Sequence, residues 1–71
     1  MRRYLILIEP TPTGFSAYSP DLPGCVATGV TRADVENNMR EVVELHVVGL
    51  REDGEPVPPP STSAAYVEVA A

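Results

Sequence analysis

The acidic residues are the side chains of this sequence best suited to chemistry, because converging carboxylates can hold divalent metals for phosphodiester hydrolysis. A two-metal nuclease would need carboxylates from several elements, and the candidates are Glu9, Glu36 or Glu41, and Glu68. Glu41 lies off the apolar stripe of the predicted helix, and the first predicted strand contains no Asp, so convergence is expected to be poor. The sequence therefore predicts no enzyme, metal site or cofactor, with a small nuclease as an alternative.

The single histidine and the single cysteine complete the set of reactive side chains. His46 falls within the apolar stripe, where we expect it to pack, since a general base also needs an orienting group and a reactant site. One histidine and one cysteine are too few soft ligands for a zinc site. Cys25 has no cationic neighbour in the sequence that would activate its thiol, so it is predicted to be a small buried hydrophobe.

Four short strands are expected to position these side chains. Pro10 is predicted to end the first strand, because proline cannot donate to a ladder of hydrogen bonds. A proline–glycine turn should follow, and alternation of apolar and polar residues marks the next strands. The four predicted strands are residues 3–9, 15–19, 25–28 and 65–69.

One amphipathic helix is expected between the third and fourth strands. Apolar residues at helical spacing predict a helix from Arg32 to about Glu52, with Thr31 as its N-cap and Gly54 as its stop. The proline-rich residues 55–63 then predict a stiff, extended linker that brings the chain back to the sheet.

The element order β-β-β-α-β predicts a single α+β domain over residues 1–71, with the helix on one face of a mixed sheet. A right-handed crossover would place the fourth strand beside the first, in the order 3-2-1-4. The other face should stay open and apolar, which favours a homodimer or homotetramer for a chain this short. The residues predicted to form that interface are Leu5, Leu7, Tyr18 and Val67.

The charge balance indicates the type of partner. Ten Asp and Glu residues oppose five basic residues, giving a formal net charge of -5. Such a surface is poorly suited to nucleic acid, and well suited to a basic protein partner. The residues predicted to bind that partner are Glu9, Asp21, Glu41 and Glu44.

The apolar run near the N-terminus bears on localisation. Residues 4–8 form a run of only five residues, which is too short for a signal-peptide core or a membrane span. The sequence therefore predicts a cytoplasmic protein without a membrane partner.

Several short motifs follow one another along the chain. They are FSAYSP at residues 15–20, DLPGC at 21–25, GVT at 29–31, the single residues Asn38, Glu41 and Leu45, and EDGEPVP at 52–58. The order and spacing of these motifs resemble the HicB family of antitoxins over nearly the whole length. The resemblance implies the family's N-terminal domain, a reduced RNase H-like fold.

The same resemblance implies that the chain binds a small HicA toxin, an mRNA-cleaving protein with a double-stranded-RNA-binding-like fold, and blocks its catalytic surface. Many members carry a C-terminal DNA-binding domain, which we do not expect here because the sequence stops at Ala71. The alternatives are an orphan homo-oligomeric scaffold and a small RNase H-like nuclease. Val30 and Val35 depart from the family pattern, in which an acidic residue and alanine are usual at these positions.

Overall fold

The computed structural model describes residues 2–71, in which a tight hairpin begins the fold. Strand β1 (Leu7–Thr11) is joined to β2 (Gly14–Tyr18) by a two-residue turn, and the two strands pair antiparallel with Thr11 opposite Gly14. Strand β3 (Val26–Gly29) pairs antiparallel with the other edge of β2, so the sheet has the order β1-β2-β3. The predicted three-stranded meander is therefore confirmed.

The bounds of the first strand differ from those predicted. Pro10 lies inside β1, opposite Phe15, so the prediction that it ends the strand was wrong. Proline is tolerated because β1 is an edge strand, and no neighbouring strand needs an N–H from its outer side. Regular pairing begins only at Leu7 and continues to Thr11, two residues beyond the expected end.

Helix α1 (Arg32–Glu52) has the predicted bounds because local capping signals determine both of its ends. The Thr31 hydroxyl accepts from the Asp34 amide at 3.1 Å, and Oδ2 of Asp34 accepts from the Thr31 amide at 3.3 Å. This reciprocal pair is a capping box. At the other end Gly54 has a φ of 68°, which glycine adopts without strain, and the Glu55 amide donates to the Leu50 carbonyl at 2.8 Å.

The core lies between α1 and the sheet, where the helix packs mainly over β3 and β2. Val35 and Met39 are fully buried, and Tyr4, Ile6 and Ile8 pack against the core from the first part of the chain. The latter three therefore face the helix. The buried residues are Ala17, Ser19, Leu22, Cys25, Val35 and Met39.

Cys25 is one of these core residues, with 1% of its surface exposed, so the prediction of a buried cysteine is confirmed. Burial raises the pKa of its thiol because the charged thiolate is poorly solvated in the core. His46 is half-buried on α1.

The start of α1 lies very close to the end of β3. A Cβ atom on Gly29 would lie 2.5 Å from the backbone nitrogen of Val35, so no larger residue fits there without displacing the helix. The side-chain amide of Asn38 donates to the carbonyl of Thr28 at 2.8 Å and fastens the second turn of α1 to the same strand. Together these contacts determine where α1 lies on the sheet.

The predicted fourth strand is the main error of the sequence analysis. Residues 55–71 form neither helix nor strand, and Tyr66, Val67 and Val69 are 102%, 84% and 79% exposed. The expected order 3-2-1-4 is met only in its first three positions, and the sheet is antiparallel rather than mixed. The radius of gyration of 13.9 Å exceeds the roughly 11 Å typical of a compact domain of this length, because the C-terminal segment projects outward.

The physical reason for this error lies in residues 55–62 of the predicted linker, and these residues alone are called the linker below. Its backbone at Ser61 and Thr62 is hydrogen-bonded to Asp21, in the loop between β2 and β3, and not to the outer edge of β1. The residues that follow, 63–71, are called the tail below. No helix within residues 2–71 combines the length and the apolar character needed to cross a membrane.

Candidate functional site

An acidic and apolar surface lies along the middle of α1. Glu41, Glu44, Leu45 and Val48 are spaced three or four residues apart, which places their side chains on one side of the helix. They line a shallow hollow of about 400 Å³. Leu45 is 73% exposed and Val48 is 48% exposed, although both are large and apolar. We call these four residues the helix patch.

The helix patch lies on a different side of α1 from the stripe that faces the sheet. Leu45 is therefore not part of the core. Val35 and Met39 carry that stripe, and Leu45 and Val48 fall on another side of the helix. Apolar side chains left exposed beside carboxylates are typical of a protein-binding surface. Glu41 and Glu44 were predicted from the sequence to bind a partner. Leu45 and Val48 were not, although their positions off the stripe were the available signal.

Glu9 lies apart from the helix patch. It is exposed in β1, opposite Ser16, on the sheet face that α1 does not cover. The structure therefore does not join Glu9 with Glu41 and Glu44 in one surface, and its partner-binding role stays a prediction.

Asp21 is occupied by contacts within the chain. Its carboxylate accepts hydrogen bonds from the backbone amides of Ser61 and Thr62, each at 3.0 Å, and from their hydroxyl groups at 3.1 and 2.7 Å. The hydrogen bonds, led by that of the Thr62 hydroxyl, lower the pKa of Asp21 to about 2 because they stabilise the charged form. We call these contacts the Asp21 clamp. A partner-binding role for Asp21 stays a prediction, but the structure assigns its carboxylate to holding the linker.

The open face of the sheet carries an apolar strip. Tyr18 lies opposite Leu7 on one side and Val26 on the other, so the three side chains form one row across the sheet. Tyr18 is 41% exposed and Val26 is 64% exposed. The structure thus joins two residues of the predicted oligomer interface, Leu7 and Tyr18, and adds Val26, which the sequence analysis omitted. Val67 lies in the exposed tail, and the interface itself stays a prediction.

A second hollow lies between the first residues of the chain and α1. It is a groove of about 550 Å³, with Tyr4 and Ile6 on one side and Met39 and Val43 on the other. Charged side chains of both signs border this apolar floor: Arg2, Arg3 and Arg40 are basic, and Glu36 and Glu44 are acidic.

The carboxylates considered for nuclease chemistry lie on separate parts of the molecule. Glu9 is on the sheet, Glu41 is in the helix patch and Glu68 is in the tail, while Glu36 pairs with Arg32 at 3.1 Å. Among residues 2–71, no three Asp, Glu, His or Cys side chains are grouped closely enough to hold a metal ion.

Comparison with known proteins shows that the sequence and structure of this chain are similar to those of toxin-antitoxin proteins. Residues 4–70 match the family model described as HicB_like antitoxin of bacterial toxin-antitoxin system. The structure is similar to a chain of the solved HicA3 and HicB3 toxin-antitoxin complex, with a TM-score of 0.71 and 40% identity. That similarity covers 83% of this chain and 70% of the other.

A phage protein is also related. The chain is 33% identical over 64 residues to an uncharacterized 14.9 kDa protein in the rep-hol intergenic region of Haemophilus phage HP1 (strain HP1c1). The alignment covers 90% of this chain and 48% of the phage protein, so the chain spans about half the length of the curated relative that it matches. The family model covers nearly all of the domain described above. The chain belongs to the HicB-like antitoxin family of bacterial toxin-antitoxin systems.

Proposed function

We propose that this chain neutralises a small, basic, mRNA-cleaving toxin of the HicA type by covering the toxin's RNA-binding or catalytic face. The helix patch is the observation that carries this proposal, because it places two carboxylates beside two exposed apolar side chains. The similarity to a chain of the HicA3 and HicB3 complex supports the same type of partner.

The chemistry of the helix patch suits a surface that otherwise binds RNA. A protein that binds RNA presents basic groups to phosphates, and the carboxylates of Glu41 and Glu44 can occupy those groups instead. The net charge of -5 adds a long-range attraction that speeds the encounter with a basic protein. Burial of Leu45 against the partner would contribute about 1.5–3 kcal/mol.

Charge reversal on the helix patch tests this proposal. Glu41→Lys with Glu44→Lys is expected to weaken toxin binding by about tenfold or more, measured by titration calorimetry, because the new charges repel a basic face. Glu52→Lys with Glu55→Lys makes the same change in net charge outside the patch, and should have a clearly smaller effect. Equal losses in the two double variants would show that only net charge matters, and would contradict binding through this patch.

The apolar half of the patch is tested separately. Leu45→Ser should weaken binding and reduce the rescue of growth when the chain is co-expressed with the toxin. Val30→Ser is the matched control, because Val30 is similarly exposed, at 74%, but lies outside the patch. Failure of the unaltered chain to relieve the growth arrest caused by a co-expressed HicA-type toxin would overturn the proposed function itself.

We include in this proposal that residues 1–71 act as one cytoplasmic domain without catalysis and without direct binding of nucleic acid. The positions of Glu9 on the sheet and Glu41 on the helix, with Glu68 in the tail, support the part of the proposal that concerns catalysis. Metal-dependent cleavage of an RNA–DNA hybrid by the purified chain, lost in Glu9→Gln, would contradict it.

A further inference from the structure

The outer edge of the first strand has backbone groups with which another strand can pair. The Ser19 hydroxyl donates to the Leu5 carbonyl at 3.0 Å, so the backbone of Leu5 faces β2. Tyr4 and Ile6 precede β1, but they pack against the core as Ile8 does, so the alternation of β1 continues back to residue 4. The backbone groups of these three residues therefore face outward. Pro10, which has no N–H to offer, closes this edge at its far end. The edge therefore offers unpaired donors and acceptors over residues 4–8.

The groove beside this edge has the shape and lining of a vacant strand position. It runs between residues 2–6 and α1, and its apolar floor is made by Tyr4, Ile6, Met39 and Val43. Since α1 packs mainly over β3 and β2, the part of the helix beyond β1 lacks a sheet beneath it. A strand placed there would pair with β1 and cover this part of α1 at the same time.

The tail has the pattern of such a strand but lies outside the groove. Its residues 65–69 alternate, with Val67 and Val69 on one side and Tyr66 and Glu68 on the other. All of them are exposed to solvent, although three of these side chains are large and apolar.

The linker holds the tail away from the groove of its own chain. The Tyr4 hydroxyl donates to the Pro58 carbonyl at 2.5 Å, so the linker passes the end of the groove. The Asp21 clamp then fastens Ser61 and Thr62 to the loop that follows β2. Because β2 lies on the other side of β1 from the groove, the tail starts on the wrong side of β1 to fill it.

We propose that the tail of one copy fills the groove of a second copy, pairing with the outer edge of its first strand, so that two chains exchange their fourth strands. Val67 and Val69 enter the groove and contact Ile6 and Val43 of the other copy. Tyr66 and Glu68 then lie on the open face of the sheet.

The molar mass of the full chain, measured by light scattering after gel filtration, tests the proposal first. We expect a dimer or a larger even-numbered assembly, and we expect Val67→Asp with Val69→Asp to give a monomer with unchanged helical circular dichroism. Thr13→Asp with Asn37→Asp adds the same charge at exposed positions outside the tail and groove, and should keep the assembly. A monomeric unaltered chain, or an assembly that persists in Val67→Asp with Val69→Asp, would overturn the proposal.

A mixed-label experiment decides which chain supplies the strand. A spin label is attached at Tyr66→Cys in protein that contains no ¹⁵N. This position is suitable because Tyr66 faces out of the groove in the proposed pairing, and the native Cys25 is buried. This protein is mixed with ¹⁵N-labelled chain that carries no spin label. Broadening of the ¹⁵N amide signals of residues 4–8 and 39–43 is expected.

Each outcome of the mixing experiment is decisive. A control sample has the spin label and ¹⁵N in the same molecule. Broadening in this control but not in the mixed sample would show that each tail closes its own groove. Broadening around Leu7, Tyr18 and Val26 without residues 39–43 would show association through the open sheet face. Either result would contradict strand exchange.

Discussion

The hydroxyl of Thr62 donates to Oδ1 of Asp21 at 2.7 Å, joining residues that are 41 positions apart in the chain. With the neighbouring contacts of Ser61, it fastens the linker to the loop between β2 and β3. This relationship sets the direction in which the tail leaves the domain. Asp21, which was predicted to bind a partner, therefore has a structural role.

The Asp21 clamp should make stability depend on pH. The folded state lowers the pKa of Asp21 from 3.8 to about 2, so the charged carboxylate stabilises the fold above about pH 4. That contribution is lost as the pH falls through about 2, where the folded carboxyl is protonated. Urea unfolding of the unaltered chain and of Asp21→Asn should therefore differ most above pH 4 and converge towards pH 2. A difference independent of pH would contradict the prediction, since all other carboxylates titrate in both proteins.

The capping box of α1 should be a measurable source of stability. Thr31→Ala removes the acceptor for the Asp34 amide and is expected to lower the free energy of unfolding by about 1 kcal/mol. Thr13→Ala, in the exposed hairpin turn, should change it by less than about 0.5 kcal/mol. Urea unfolding followed by circular dichroism at 222 nm measures both, and equal values would count against the cap.

Two glycines of this chain should respond to alanine in opposite directions. Gly29→Ala places a Cβ 2.5 Å from the Val35 nitrogen, and is expected to destabilise by about 1–3 kcal/mol because α1 must move off β3. Gly49→Ala meets nothing within 4 Å on α1, and should stabilise by up to about 1 kcal/mol through helix propensity. Thermal unfolding midpoints of the two variants measure this contrast, and a shift in the same direction would contradict it.

Core and patch residues of the same helix should separate stability from binding. Met39→Ala leaves a cavity in the core and is expected to cost about 2–5 kcal/mol, since Met39 is fully buried. Leu45→Ala should change stability by less than about 0.5 kcal/mol, because Leu45 is 73% exposed. Unfolding in urea measures the first effect, and toxin affinity should be reduced by Leu45→Ala. A large loss of stability in Leu45→Ala would mean that Leu45 belongs to the core.

The candidate site was only partly predictable. Glu41 and Glu44 were identified because acidic residues on an acidic domain indicate a basic partner, and the structure places both in the helix patch. Glu9 and Asp21 met the same criterion, but composition carries no information on distance. The structure puts one on the open sheet face and the other in the clamp.

The elements that could be predicted from the sequence are those whose signals are local. Helix α1 was predicted with correct bounds because Thr31, Asp34 and Gly54 act on backbone groups within a few residues. The meander was predicted because short turns leave antiparallel pairing as the natural arrangement of consecutive strands.

The path of the chain after α1 depends on contacts between residues that are far apart in the sequence. The pattern of residues 65–69 is that of a strand, but a strand needs a paired neighbour, and the linker determines which neighbour is in reach. Hydrogen bonds from Ser61 and Thr62 to Asp21, forty residues earlier in the chain, direct the tail away from β1. Such a contact depends on where two distant loops meet, and no local pattern of residues encodes it.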